Sequence, residues 1–193
     1  LMSRTIFYFH GWKSSAESSK ALIFRTLIKN KYPSVELITP NILDKFSEAI
    51  PQLDKLVEKS SAEKNIFVGS SLGGFFATRY ANLYNGKAVV INPAINPSEG
   101  LKVNIGANKN YANGYEFKLT HDDIDSLKSI EIKNIINPEN FLLLSESNDQ
   151  VLNYLDAVKF YKGSFMDIYY GGDHSYTQFS DKLEIIENFL ELP

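Results

Sequence analysis

The chain of 193 residues contains no cysteine, one tryptophan, two methionines and three histidines. Without thiols there is no disulfide, no thiolate metal site and no cysteine nucleophile, and a reducing cytoplasmic setting is the expected location. No apolar run approaches the roughly 18 residues of a membrane-spanning helix. Basic blocks are also missing: 20 Lys and Arg and 23 Asp and Glu are interspersed to a net charge of −3. Nucleic acid is therefore not an expected partner, since phosphate binding draws on clustered cations. The run Thr5-Ile6-Phe7-Tyr8-Phe9 is short and aromatic, and His10-Gly11-Trp12 follows it where a secretory signal would carry small residues. No internal repeat is visible.

What the chain has is apolar mass. Hydrophobic residues make up 44% of it, enough for the core of a single domain over residues 1–193. Short apolar or aromatic runs at 5–9, 35–39, 65–69, 88–92, 141–145 and 165–170 predict strands. Between them, helical spacing covers 18–31, 45–59, 74–84, 151–161 and 180–190. The runs are continuous more than alternating, as in strands covered on both faces, so the expectation is an open, mostly parallel α/β sheet. Residues 93–139 break this rhythm. They are polar and rich in Asn and Gly, and read as an irregular insertion after the fourth strand, either a plain surface excursion or a flap that shapes the substrate site.

One pentapeptide carries chemistry. Gly69-Ser70-Ser71-Leu72-Gly73 lies between the apolar run 66–68 and a helical segment, the setting of a nucleophile elbow. Such a turn is so tight that the serine backbone is strained, and the flanking glycines let neighbouring chain pass without a Cβ clash. Only Ser71 fits the register, because centring the motif on Ser70 puts Val68 and Leu72 where glycines belong. A serine needs a general base, and the base an orienting acid. His174 follows the last strand in a glycine-containing loop and is the expected base. His10 reads as a brace for its own loop, and His121 as an exposed residue beside acids, with a capping role for the helix that follows. For the acid, the loop after the fifth strand offers Glu146 and Asp149. Asp149 is preferred, Glu146 second, and Asp173, adjacent to the histidine, last. The competing role for Asp149 is to cap the next helix. The backbone N–H groups of Leu72 and Trp12 are the expected donors to a developing oxyanion.

The chain resembles the small bacterial YqiA/YcfP-like esterases of the α/β-hydrolase superfamily. The likeness runs through Tyr8-Phe9-His10-Gly11-Trp12-Lys13-Ser14-Ser15, Val68 to Thr78, Asn92-Pro93-Ala94, Asp149-Gln150-Val151-Leu152-Asn153-Tyr154 and Gly171-Gly172-Asp173-His174. The elbow alone is widely shared, whereas its combination with Asn-Pro-Ala and Asp-x-Val-Leu-x-Tyr is much more specific. The resemblance implies a minimal hydrolase fold with six strands in the spatial order 2-1-3-4-5-6. It also implies a nucleophile at Ser71, an acid at Asp149 and a base at His174, with carboxylesterase activity and no cofactor or metal. The substrate is expected to be a small-molecule acyl ester. A thioesterase using the same residues, and a ligand-binding protein on the same scaffold that does no chemistry, are the alternatives. Relatives often carry His-Gly-Phe where this chain has Trp12, so the pocket is expected to differ in size.

Overall fold

Alternate residues of each central strand face opposite sides of the sheet, and here both sides are buried. Phe7, Phe9, Phe67, Val90 and Leu143 pack on one side, and Ile6, Tyr8, Val68, Val89, Ile91, Leu142 and Leu144 on the other. That double burial is why the strands read as unbroken apolar runs. The computed structural model describes residues 3–193. Six strands form one sheet: β1 (Arg4–Phe9), β2 (Glu36–Ile38), β3 (Lys64–Ser70), β4 (Lys87–Ile91), β7 (Phe141–Glu146) and β8 (Phe165–Tyr169). They lie in the order β2-β1-β3-β4-β7-β8, every pair parallel. Counting these strands along the chain, this is the expected 2-1-3-4-5-6, and the fold is that of an α/β-hydrolase.

Helices α2 (Phe46–Glu58), α3 (Leu72–Tyr84) and α6 (Tyr154–Phe160) cover the first side, and α1 (Ser19–Lys31) and α7 (Leu183–Leu190) the second. The chain leaves β1 toward β2 and returns to place β3 on the opposite side of β1. The loops leaving β1 and β3 therefore diverge, opening the crevice in which ligands of such sheets bind. Among the described residues, no helix is long and apolar enough to cross a membrane.

The segment 93–139 is more ordered than its composition suggests. It contains α4 (Ser98–Leu101), an antiparallel hairpin of β5 (Gly106–Lys109) and β6 (Glu116–Leu119), and α5 (His121–Ser129). The hairpin turn is built by side chains: Asn110 Oδ1 accepts from the N–H groups of Ala112 and Asn113, and Asn113 Oδ1 from that of Tyr115. Phe117 and Leu119 point into the core while Glu116 and Lys118 face out. Helix α5 begins with a capping box in which Thr120 and Asp123 satisfy each other's backbone N–H groups. His121 is thus the first helical residue and exposed, and the cap is Thr120. Helix α6 starts later than its sequence pattern suggests, because Asn153 caps it and the N–H groups of Val151 and Leu152 are already engaged by Asp149.

A very tight backbone approach lies at the end of β3. A Cβ on Gly69 would stand 2.0 Å from the carbonyl oxygen of Gly73. Gly69→Ala is expected to destabilise the protein by ~3 kcal/mol, the upper range for overpacking, because the opposing atom is backbone and cannot swing away. A urea midpoint unchanged from wild type would show that the corner yields.

Candidate active site

Ser71 sits between β3 and α3 with φ 56° and ψ −122°, a conformation strained for a residue bearing a Cβ. Backbone bonds hold it there. Its N–H donates to Ile91 O at 2.9 Å, and its carbonyl accepts from Gly74 N at 2.9 Å and Ala94 N at 3.0 Å. The glycines act as the motif requires: a Cβ on Gly73 would lie 2.0 Å from Phe9 O, and one on Gly74 2.8 Å from Pro93 Cβ. Ser70 is buried and occupies the last position of β3.

The loops after β7 and β8 bring the other two residues to it. His174 Nε2 lies 3.0 Å from Ser71 Oγ, and His174 Nδ1 lies 2.7 Å from Asp149 Oδ2. The Asp149 side chain is 2% exposed and that of His174 22%, so the acid is enclosed and the imidazole reaches the crevice. Asp149 does not cap α6, whose cap is Asn153, and its two oxygens are engaged separately. Oδ2 meets the histidine, while Oδ1 accepts from Val151 N and Leu152 N, both at 2.8 Å. Burial pushes this carboxyl up, but the bonds to His174, Leu152 and Val151 outweigh it and hold it below the ordinary carboxylate value.

Glu146 and Asp173 stand elsewhere. Glu146 is fully buried, and its Oε2 accepts from Asp173 N at 2.6 Å, bonding to the backbone of the histidine loop and not to the ring. Gly172 is pressed on this carboxylate, with φ 73° and room for no Cβ: one there would be 2.0 Å from Oε2. Asp173 turns its own Oδ1 to Ser175 N at 2.8 Å. Asn92, at the end of β4, received no role from its sequence context. Its Oδ1 accepts from Glu146 N at 2.9 Å and Ser145 Oγ at 3.3 Å, and its Nδ2 donates to the carbonyls of Asp173 and His174 at 3.0 and 3.3 Å. One amide thereby joins three strand ends. Its φ of 39° lies in the left-handed region, which Asn tolerates better than other side chains.

Leu72 opens α3, so its N–H belongs to the first turn and has no partner within the helix. Across from it, Gly11 lies against the serine: a Cβ there would be 3.5 Å from Ser71 Cβ and 4.0 Å from Oγ. Trp12 follows. Its indole donates to Asp44 O at 2.9 Å and packs on Phe46 and Phe117, while the residue also lines the crevice, so it serves as both plug and wall. His10 braces this loop. Its Nε2 accepts from Ile42 N at 2.9 Å, so Nδ1 carries the proton to Gly11 O at 2.7 Å. Burial lowers the pKa of His10, in keeping with the neutral ring this arrangement needs.

Above Ser71 and His174 is a cavity of about 1020 Å³, bounded by Trp12, Ile23, Leu101 and Leu152 among others. Tyr111 lines its mouth, whereas Phe117 is buried beneath Trp12 and Tyr115 stacks on Phe117 from outside. Among the described residues, no group of three or more His, Cys, Asp or Glu side chains converges to hold a metal ion.

The depressed pKa of Asp149 has a consequence for stability. Its folded value lies below the unfolded one, so the ionised carboxylate stabilises the fold above the ordinary carboxylate pKa. That contribution is lost as pH falls through the folded value. Urea midpoints of wild type should therefore drop toward those of Asp149→Asn on acidification. A difference between the two that does not change with pH would contradict this.

Several known proteins resemble the chain in sequence or in fold. The UPF0227 protein ECA1814 of Pectobacterium atrosepticum is 26% identical over 109 residues, which cover 55% of this chain and 59% of that protein. The match thus spans well under two thirds of that relative. Mouse alpha/beta hydrolase domain-containing protein 10 superposes with a TM-score of 0.74 at 16% identity, over 97% of this chain and 89% of the other. The monoacylglycerol lipase of Paleococcus ferrophilus superposes with a TM-score of 0.68 at 15% identity, over 98% and 95%. At such identities these two likenesses establish the fold. The family described as "Uncharacterised protein family (UPF0227)" matches residues 5–191, and the chain belongs to it.

Proposed function

We propose that the protein is a serine esterase that cleaves small-molecule acyl esters through an acyl-enzyme intermediate. The observation that carries this reading is the hydrogen-bonded series from Ser71 Oγ to His174 Nε2 (3.0 Å) and from His174 Nδ1 to Asp149 Oδ2 (2.7 Å), opening into the cavity. Ser71 Oγ attacks the ester carbonyl and its proton passes to Nε2. Collapse of the tetrahedral species breaks the acyl–oxygen bond, and Nε2 returns the proton to the departing alcohol. Water then repeats the sequence on the acyl-enzyme. Asp149 keeps the proton on Nδ1, leaving Nε2 free to accept, and steadies the imidazolium. Its lowered pKa keeps it ionised for that task. The N–H groups of Leu72 and Trp12 receive the oxyanion, each donor lowering the barrier by about 3 kcal/mol in enzymes of this kind.

The apolar side chains around the cavity favour an acyl group longer than acetyl. A monoacylglycerol lipase among the fold's relatives fits with that substrate class. Ser71→Ala is expected to lower kcat by roughly 10⁵- to 10⁶-fold. A serine-directed phosphonate should label Ser71 in wild type. Residual turnover near the wild-type rate, or label on another serine, would sink the proposal. Across an ester series from acetyl through octanoyl to palmitoyl, kcat/KM should rise from the shortest member and fall once the cavity is filled. A preference for acetyl would show that the apolar wall is not the acyl site. Matched oxygen esters and thioesters separate the esterase from a thioesterase working with the same residues.

A further inference from the structure

The loop after β1 is held from outside by the insertion. Tyr111 N donates to Lys13 O at 3.0 Å, and Asn110 Nδ2 reaches Ser14 O at 3.3 Å. The same Nδ2 donates to both Asp44 oxygens, at 2.9 and 3.0 Å, and Asn110 and Asp44 are both buried. Asp44 also grips the loop directly, since its main-chain carbonyl takes the Trp12 indole N–H at 2.9 Å. Burial pushes the Asp44 carboxyl up, against the opposing pull of the Asn110 amide and the Lys13 ammonium and backbone N–H. Lys13 completes the joint. Its Nζ lies 4.4 Å from the Trp12 ring centre, 4.7 Å from that of Tyr111, and 3.3 Å from Asn108 Oδ1 on β5. Lys13 itself has φ 60°, a conformation that a residue with a Cβ keeps only when its surroundings impose it.

We propose that the β5–β6 hairpin is a clamp that fixes the Trp12 N–H as an oxyanion donor, with Asn110 and Asp44 as its positioning residues. This rests on the esterase reading above, in which that N–H receives the oxyanion. A donor on a loop contributes fully only if it is held at the place where charge develops, and a shift of an ångström is enough to lose most of the effect. The hairpin supplies that constraint from a segment distant in the chain. The alternative, that the hairpin only walls the cavity, would affect substrate binding and leave the chemical step alone.

The test is a double-mutant cycle on the full-length protein with Asn110→Ala and Asp44→Ala, using one short-chain ester. Affinity for a trifluoromethyl ketone, which forms a tetrahedral oxyanion on the serine, is the second readout. Each single variant should lower kcat and weaken the ketone by roughly ten- to hundredfold, with KM within about twofold of wild type. The double variant should lose little more than the worse single one, because the two residues act as one joint. Asp44→Asn, which retains an acceptor for the Asn110 amide, should recover much of the loss. Thermal melts by circular dichroism separate this from global unfolding. If the alanine variants do not fold, Asn110→Asp carries the test: it keeps the oxygen that closes the turn, removes the amide donor to Asp44, and should lower kcat at unchanged KM. A raised KM at unchanged kcat, or strictly additive effects, would overturn the clamp. Phosphonate labelling of wild-type Ser71 distinguishes the two levels. Labelled enzyme with unaffected variants rejects the clamp alone, whereas unlabelled enzyme rejects the esterase reading and the clamp with it.

Discussion

The corner where β3 runs into α3 leaves no room for a side-chain carbon at Gly69 or Gly73. Gly69 meets the carbonyl of Gly73, and Gly73 meets the carbonyl of Phe9, each so closely that a Cβ would stand 2.0 Å from backbone oxygen. Strand, helix and the end of β1 are thereby drawn into main-chain contact, and Ser71 is held between them with φ above zero. The strain is offset by the backbone bonds that Ser71 makes to Ile91, Gly74, Ala94 and, at 3.4 Å, Phe75. The rest of the site is laid out around this point. Gly11 lies in van der Waals reach of the serine on one side, and the histidine loop closes from the other.

A parallel sheet turns that corner into a site because all its strands end on the same edge. β1 delivers loop 11–14, β3 the serine, β4 Asn92, β7 Asp149 and Glu146, and β8 the loop with His174. Bringing strand ends together is not enough to aim side chains. The aiming is done by polar groups that are spent on backbone: Asn92 on the carbonyls of Asp173 and His174, Glu146 on Asp173 N, and Gln150 on His174 N. Asp149 shows the same economy within one carboxylate, with one oxygen fixing its own turn and the other meeting the imidazole. A rigid acid is a better orienter than a mobile one, since each rotamer it cannot adopt is entropy already lost in folding.

Legibility in the sequence followed the range of the interactions. The four central strands were readable because burial on both faces writes apolarity into nearly every position. The edge strands β2 and β8 are only partly covered and were readable from their apolar composition. The order of all six came from the family resemblance. The elbow was readable because its steric demands fall on residues two positions apart. Asn92 was not, since nothing local marks a side chain whose four partners lie more than fifty positions away along the chain. The hairpin was also hidden. Its strands have four residues each, too short for alternation to stand out, and its turn is closed by Asn side chains inside a stretch that is polar throughout. The late start of α6 has the same origin: helical spacing begins at Val151, but the N–H groups there had already been claimed by Asp149.

The two sides of the crevice are thus secured by different physics. On the serine side the constraint is steric and comes from neighbouring elements, so it is met as soon as β3 and α3 pack. On the side of loop 11–14 the constraint is polar and comes from the insertion, through contacts such as Asp44 to Asn110 and Lys13 to Asn108, separated by 66 and 95 positions. Apolar packing of Phe117 under Trp12 supplies burial there but tolerates sliding, whereas a buried amide bonded to a carboxylate accepts only one alignment. The pair therefore adds register to a contact that hydrophobic burial alone would leave loose. In the proposed enzyme, the insertion then matters twice: Tyr111 meets what enters the cavity, and the residues on either side of it, Asn110 and the turn that follows, determine how firmly the oxyanion loop is held.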